Sequence, residues 1–150
     1  MLQLHPVRAL AVLAIATVSL AACGSDEKAQ SGPVTVEVAL KEWKFEPSIT
    51  EAKAGTIAFK ATNNGKEVHE LVLFKSDLAP EKLPVDQDGA VDEQGEGLEF
   101  IDEVEDVKPN ETKTFSADLK PGTYVMACNV IENGEKHFMR KMYATFTVTE

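Results

Sequence analysis

From Val34 to the C-terminus the sequence predicts an all-β fold, an antiparallel Greek-key sandwich of seven to eight strands. Hydrophobic residues alternate with polar ones at a period of two, the pattern of strands with one buried face. Asn-Gly, Pro-Asn and Pro-Gly pairs punctuate these runs where turns are needed. Heptads and internal repeats are absent, and only Ser76 to Leu83 has room for a helical turn.

Ahead of the strands stands an export signal. Met1 to Arg8 supplies a short basic region, and Ala9 to Leu20 is apolar apart from Thr17 and Ser19. That run falls short of the roughly 20 apolar residues a membrane span requires. It ends in Leu20-Ala21-Ala22-Cys23, which resembles the lipobox of bacterial lipoproteins. The resemblance implies cleavage before Cys23 and lipid attachment at its sulfur; ordinary cleavage after Ala22 would leave a free terminal thiol instead. The expected organisation is a lipoprotein signal peptide over 1–22, a lipidated tether over 23–33 and one domain over 34–150. Gly24 to Pro33 is small and polar, with a reach of about 16–19 Å as a flexible coil.

Cleavage at that point removes Arg8 and no acid, so the mature charge is 14 − 25 = −11. Such a balance argues against nucleic acid and against electrostatic binding to anionic lipid headgroups, and favours a basic partner. With Cys23 lipidated, Cys128 has no disulfide mate. A lone thiol outside the cytosol is an oxidation hazard unless it is buried or metal-bound.

The first strand sets Val34, Val36, Val38 and Leu40 against Thr35, Glu37, Ala39 and Lys41. Trp43 and Phe45 precede Pro47 and read as an irregular edge. Gly55 opens a strand over Thr56 to Thr62, and Asn63-Asn64-Gly65 turns the chain into Val68 to Lys75. Further strands are expected over Leu98 to Val107, Thr112 to Leu119, Thr123 to Cys128 and Met142 to Thr149. Between Pro84 and Gly97 lies an acidic insertion. A calcium loop centred on Gly89 would need Asp at Pro84 and Glu at Gly95, so the insertion reads as a solvated charged loop.

The mature chain holds two histidines, and with Cys128 and Met142 they form an unusual donor set. His69 lies on a strand face with Leu71 and Leu73, Cys128 closes a strand, His137 lies in the following loop, and Met142 is in phase with Ala144 and Phe146. Each alone is ordinary: a core histidine, a small buried hydrophobe, a surface histidine, a packing methionine. Together, two imidazoles, a thiolate and a thioether are the donor set of a blue-copper site. Eight residues separate Cys128 from His137 and four separate His137 from Met142, so one inter-strand loop carries three donors. Met139 competes for the axial place, and spacing and strand phase favour Met142. Zinc accepts the same cysteine and histidine donors.

The residues resemble the cupredoxins, the plastocyanin and azurin family. Pro121 to Cys128 (PGTYVMAC) resembles the family's penultimate strand, and His137 to Met142 (HFMRKM) resembles its second-histidine and methionine segment. Asn63-Asn64-Gly65 with His69 resembles the first-ligand strand, and Phe45-x-Pro47 with Lys53-Ala54-Gly55-Thr56 an early signature. The resemblance spans Val34 to Glu150 and implies one type 1 copper ion held by His69, Cys128, His137 and Met142. Two departures stand out. The eight-residue loop is longer than in small family members and resembles that of copper nitrite reductases; it would reshape the surface beside an exposed histidine edge. Glu70 stands where many members carry asparagine near the thiolate, and alternation turns it away from the metal.

The expected function is a membrane-tethered, extracytoplasmic, monomeric electron carrier that meets a partner with a basic face, such as a c-type cytochrome. A copper carrier or store is the alternative, although no exposed Met- or His-rich segment is present. An enzyme with a second copper centre would need further histidines, and both mature ones are already assigned.

Overall fold

A computed structural model describes residues 32–150; the expected signal peptide, Cys23 and the tether up to residue 31 lie outside the described residues. Its strands are β1 (Val34–Lys41), β2 (Lys44–Pro47), β3 (Glu51–Lys53), β4 (Gly55–Asn63), β5 (His69–Lys75) and β6 (Glu99–Val107). They continue as β7 (Thr112–Leu119), β8 (Gly122–Ala127), β9 (Ile131–Glu132), β10 (Glu135–Lys136) and β11 (Tyr143–Thr149). The only helical segments among the described residues are two single 3₁₀ turns, Pro80–Lys82 and Phe138–Arg140.

Two sheets form the sandwich, in strand orders β2-β1-β4-β7 and β3-β11-β8-β5-β6. The chain changes sheet between β4 and β5, β6 and β7, and β7 and β8, which makes the Greek-key path. Two pairings depart from an all-antiparallel expectation: β1 with β4 and β3 with β11 are parallel. Parallel neighbours need a connection of a dozen or more residues. Glu42 to Ala54 provides it, pairing back on β1 as β2 and then crossing to the other sheet as β3. The strand total is therefore higher than the expected seven to eight. The additions are two- to four-residue strands too short to show a hydrophobic period.

Alternating residues of both sheets meet in one core. Val36, Val38, Ile57 and Phe59 from the first face Leu71, Leu73, Met126 and Phe146 from the second. Phe59 stacks on Phe115 and meets Phe146 edge-on, at centroid separations of 5.3 and 5.4 Å. Cys128 and Met142 belong to this core at one end of the sandwich.

A smaller cluster covers the outer face of the five-stranded sheet. Val72, Phe74, Val125 and Ala127 point outward there, beneath Leu83, Val91 and Phe138. The acidic insertion is a solvated charged loop that is also anchored: Val91 is buried while its charged neighbours stay in water. The Asp86 carboxylate accepts the N–H groups of Asp88, Gly89 and Ala90 at 2.8, 2.7 and 3.0 Å, so its role is to close the local turn.

Candidate metal centre

His69 is placed by the turn before it. The buried Asn63 side chain donates to the carbonyls of Glu67 and Val107, both at 2.7 Å, and accepts the Gly65 N–H at 2.8 Å. This pins the loop to the end of β6 and starts β5 at His69. The pairing of β5 with β6 shifts register between His69 and Leu71. Cys128 directly follows β8.

From Cys128 the chain makes a small hairpin, β9 to β10, whose turn residues Asn133 and Gly134 have φ of 51° and 83°. Positive φ at both turn positions is the type I′ geometry that two-residue hairpins favour. The Val130 carbonyl accepts the His137 N–H at 3.0 Å and closes the loop. The Phe138–Arg140 turn and Lys141, at φ 67°, then reverse the chain. Met142 donates its N–H to the His137 carbonyl at 3.1 Å, and its own carbonyl accepts the Cys128 N–H at 3.2 Å.

These elements bring His69, Cys128 and His137 together, with one potential ligand atom from each lying within 4.8 Å of the others. The two Nδ1 atoms are 3.2 Å apart, and the Cys128 Sγ is 3.3 Å from His137 Nδ1. Metal–nitrogen bonds of about 2.0–2.1 Å and a metal–sulfur bond of about 2.3 Å, at trigonal to tetrahedral angles, put donors roughly 3.3–3.8 Å apart. The spacing suits a single ion. Protonation agrees with it: burial above all, then the His137 charge, pushes His69 down to about 4, and burial likewise lowers His137. Both rings are therefore neutral and offer lone pairs. Burial pushes the Cys128 thiol up to about 12 against the opposing N–H groups of Glu70 and Val130. A thiol in that environment ionises when a cation replaces its proton.

Met142 is fully buried in the same core cluster as Cys128, whereas Met139 is 58% exposed. The axial competitor faces solvent. Cys23 lies outside the described residues. Glu70 is not part of the cluster: its carboxylate accepts the Asn129 N–H at 2.6 Å, while its own N–H reaches the Cys128 sulfur at 3.5 Å.

The expected exposed histidine edge is not found. His137 has no exposed surface. Trp43 meets its ring edge-on at a centroid distance of 4.8 Å, and the Arg140 guanidinium lies 4.7 Å over the indole. Trp43 has φ 62°, a conformation costly for a bulky residue and of the kind that clusters at functional sites. Sequence reasoning passed over this cover, because Trp43 comes from the β1–β2 connection and carries no local sign of its destination. It also passed over Glu42 and Glu67, two acids among 25, which lie near the far edges of the imidazoles.

A sequence model of the family described as "Cupredoxin-like domain" matches residues 10–137, which include His69, Cys128 and His137. Among solved structures, a dithionite-reduced auracyanin from Roseiflexus castenholzii is 21% identical, with a TM-score of 0.54 over 79% of this chain and all of that one. Auracyanin A, a "blue" copper protein from Chloroflexus aurantiacus, is 23% identical with a TM-score of 0.53 over the same shares. An azurin from Methylomonas sp. strain J is 13% identical, with a TM-score of 0.51 over 79% of this chain and 100% of its own. At these identities the structural likeness establishes the fold. No curated protein matches the chain significantly. The family match covers most of the sequence and both segments that carry the clustered donors, and the chain belongs to the cupredoxin-like domain family.

Proposed function

We propose that the chain would hold one type 1 copper ion through His69 Nδ1, His137 Nδ1 and Cys128 Sγ, with the Met142 thioether as a fourth donor, and carry single electrons outside the cytoplasm. The observation that carries this reading is the buried trio of neutral imidazoles and a lone thiol, with ligand atoms all within 4.8 Å. Bound copper would supply a one-electron couple. The chain's own residues do the rest. Donors packed into a sandwich core and fixed by backbone hydrogen bonds move little between two oxidation states, which keeps reorganisation small. The N–H groups of Glu70 and Val130 stabilise the thiolate, and Trp43 shields His137 from water. Auracyanin A is a "blue" copper protein, which supports the same choice of metal.

Electron carriage is favoured over catalysis because both histidines of the described residues are in this one cluster, leaving none for a second copper centre. Lipid at Cys23 would hold the carrier at a membrane, and its acidic charge would steer it to a partner with a basic face. No helix among the described residues is long and apolar enough to cross a membrane.

Adding Cu(II) to the apoprotein tests the reading. Intense visible absorption from thiolate-to-copper charge transfer is expected, Cys128→Ser should abolish it, and copper should resist a chelator in both oxidation states. A colourless product with the cysteine intact contradicts the proposal. Copper lost readily on reduction would favour the handover of copper to another protein.

A further inference from the structure

The far edges of both imidazoles face carboxylates. Glu67 Oε2 lies 3.4 Å from His137 Nε2, and Glu42 Oε1 lies 3.9 Å from His69 Nε2. Glu67 Oε2 and both Nε2 atoms are buried, and none has a hydrogen-bond partner. Buried polar atoms in folded proteins are almost always paired. Once Nδ1 is given to a metal, a neutral imidazole carries its proton on Nε2, and the nearby unpartnered Glu67 oxygen is the acceptor in reach.

Glu42 holds that acceptor in place. Its Oε1 accepts the N–H of Lys66 and, at 3.1 Å, that of Glu67 itself. The contact requires a glycine: a Cβ at Gly65 would come within 2.5 Å of the same oxygen. A carboxylate from the β1–β2 connection thus fastens the loop that presents Glu67, and adds a second negative charge behind His69.

Resting on the copper reading above, we infer that Glu67 is a positioning residue for the site. Its carboxylate takes the His137 Nε2–H, fixes the ring with Nδ1 turned to Cys128, and lowers the reduction potential, with Glu42 as its anchor. A hydrogen-bonded carboxylate makes an imidazole a stronger donor and sets its tautomer, and such partners are typically worth about 10–100-fold in metal affinity. Negative charge behind the ligands favours the more positive oxidation state, so the gain falls mainly on Cu(II).

Three variants of the full chain test this: Glu67→Gln, Glu67→Leu, and Glu51→Gln as a charge control on β3, at the far end of the sandwich. In the copper-loaded protein, Glu67→Gln should change the ratio of Cu(II) to Cu(I) affinity by about tenfold. For one electron that is a rise of about 59 mV in potential. Glu51→Gln should move it far less. In the diamagnetic zinc-loaded protein, a slowly exchanging His137 Nε2–H resonance should appear by NMR in wild type, survive in Glu67→Gln and vanish in Glu67→Leu. Equal potential shifts in Glu67→Gln and Glu51→Gln, or an unchanged resonance in Glu67→Leu, would overturn the inference. A zinc-loaded protein with the resonance that stays colourless with copper would fault the electron-carrier reading and uphold the carboxylate pairing.

Discussion

Glu70 accepts the backbone N–H of Asn129 at 2.6 Å, joining the first residues after two of the clustered donors, His69 and Cys128. Asn129 extends the link: its side chain accepts the Val91 N–H at 2.8 Å and donates to the Val91 carbonyl at 3.3 Å. The acidic insertion is thereby tied to the residue beside the thiol. Glu70→Leu should leave the Asn129 N–H without a partner and cost about 1–3 kcal/mol, read by urea denaturation of the apoprotein. Glu70→Gln keeps an acceptor and removes a carboxyl that burial pushes up to about 7. It should stay within about 1 kcal/mol of wild type.

Trp43 is the chain's single tryptophan, and its ring centroid lies 4.8 Å from that of His137. Its fluorescence is a built-in reporter of this end of the molecule. Titration with Cu(II) should quench it with an endpoint at one equivalent. Cys128→Ser should weaken binding and move the quench to higher copper. Quenching that ignores both Cys128 and His137 substitutions would place the metal elsewhere.

The two methionines near the site should separate cleanly. Met142 is fully buried and Met139 is 58% exposed. Met142→Ala should destabilise the apoprotein by about 2–5 kcal/mol through lost packing and a cavity. Met139→Ala should stay within about 0.5 kcal/mol. In copper-loaded protein only the Met142 variant should change the visible spectrum. A spectrum that responds to Met139→Ala instead would reassign the axial donor.

At the other face of the β1–β2 ribbon, Lys41 and Lys44 hold the Glu46 carboxyl down at about 2, against an ordinary 4.5. A folded value below the unfolded one means stabilisation that is complete above 4.5 and lost as pH falls toward 2. The pairs are solvent-exposed, so the effect is small and salt-sensitive. The urea midpoint of Glu46→Gln should lie slightly below wild type at about pH 6 and meet it near about pH 2. A gap that widens in acid would contradict the assignment.

The convergence of His69, Cys128 and His137 was legible because the donor types are scarce in this chain and their spacing straddles strands readable from period-two alternation. The burial of Met142 was legible from its phase with β11. The parallel pairings were not, because β3 is three residues long and has no period to read. Nor was the burial of His137, which depends on Trp43 arriving from a connection far away in sequence in a backbone conformation that its residue type disfavours. Val91 was hidden because Val85, Ala90 and Val91 show no strand or helix period among the acids, and its anchoring role appears only with Asn129 alongside. Local pattern reveals which residues alternate; it does not reveal which distant side chains close over a site.

X-ray absorption at the copper edge of the loaded protein bears most directly on the central claim, that two imidazoles and one thiolate hold a single ion. One sulfur and two nitrogen neighbours in the short-distance shell are predicted, with the sulfur lost in Cys128→Ser. A shell without sulfur, or one that Cys128→Ser leaves unchanged, would contradict it.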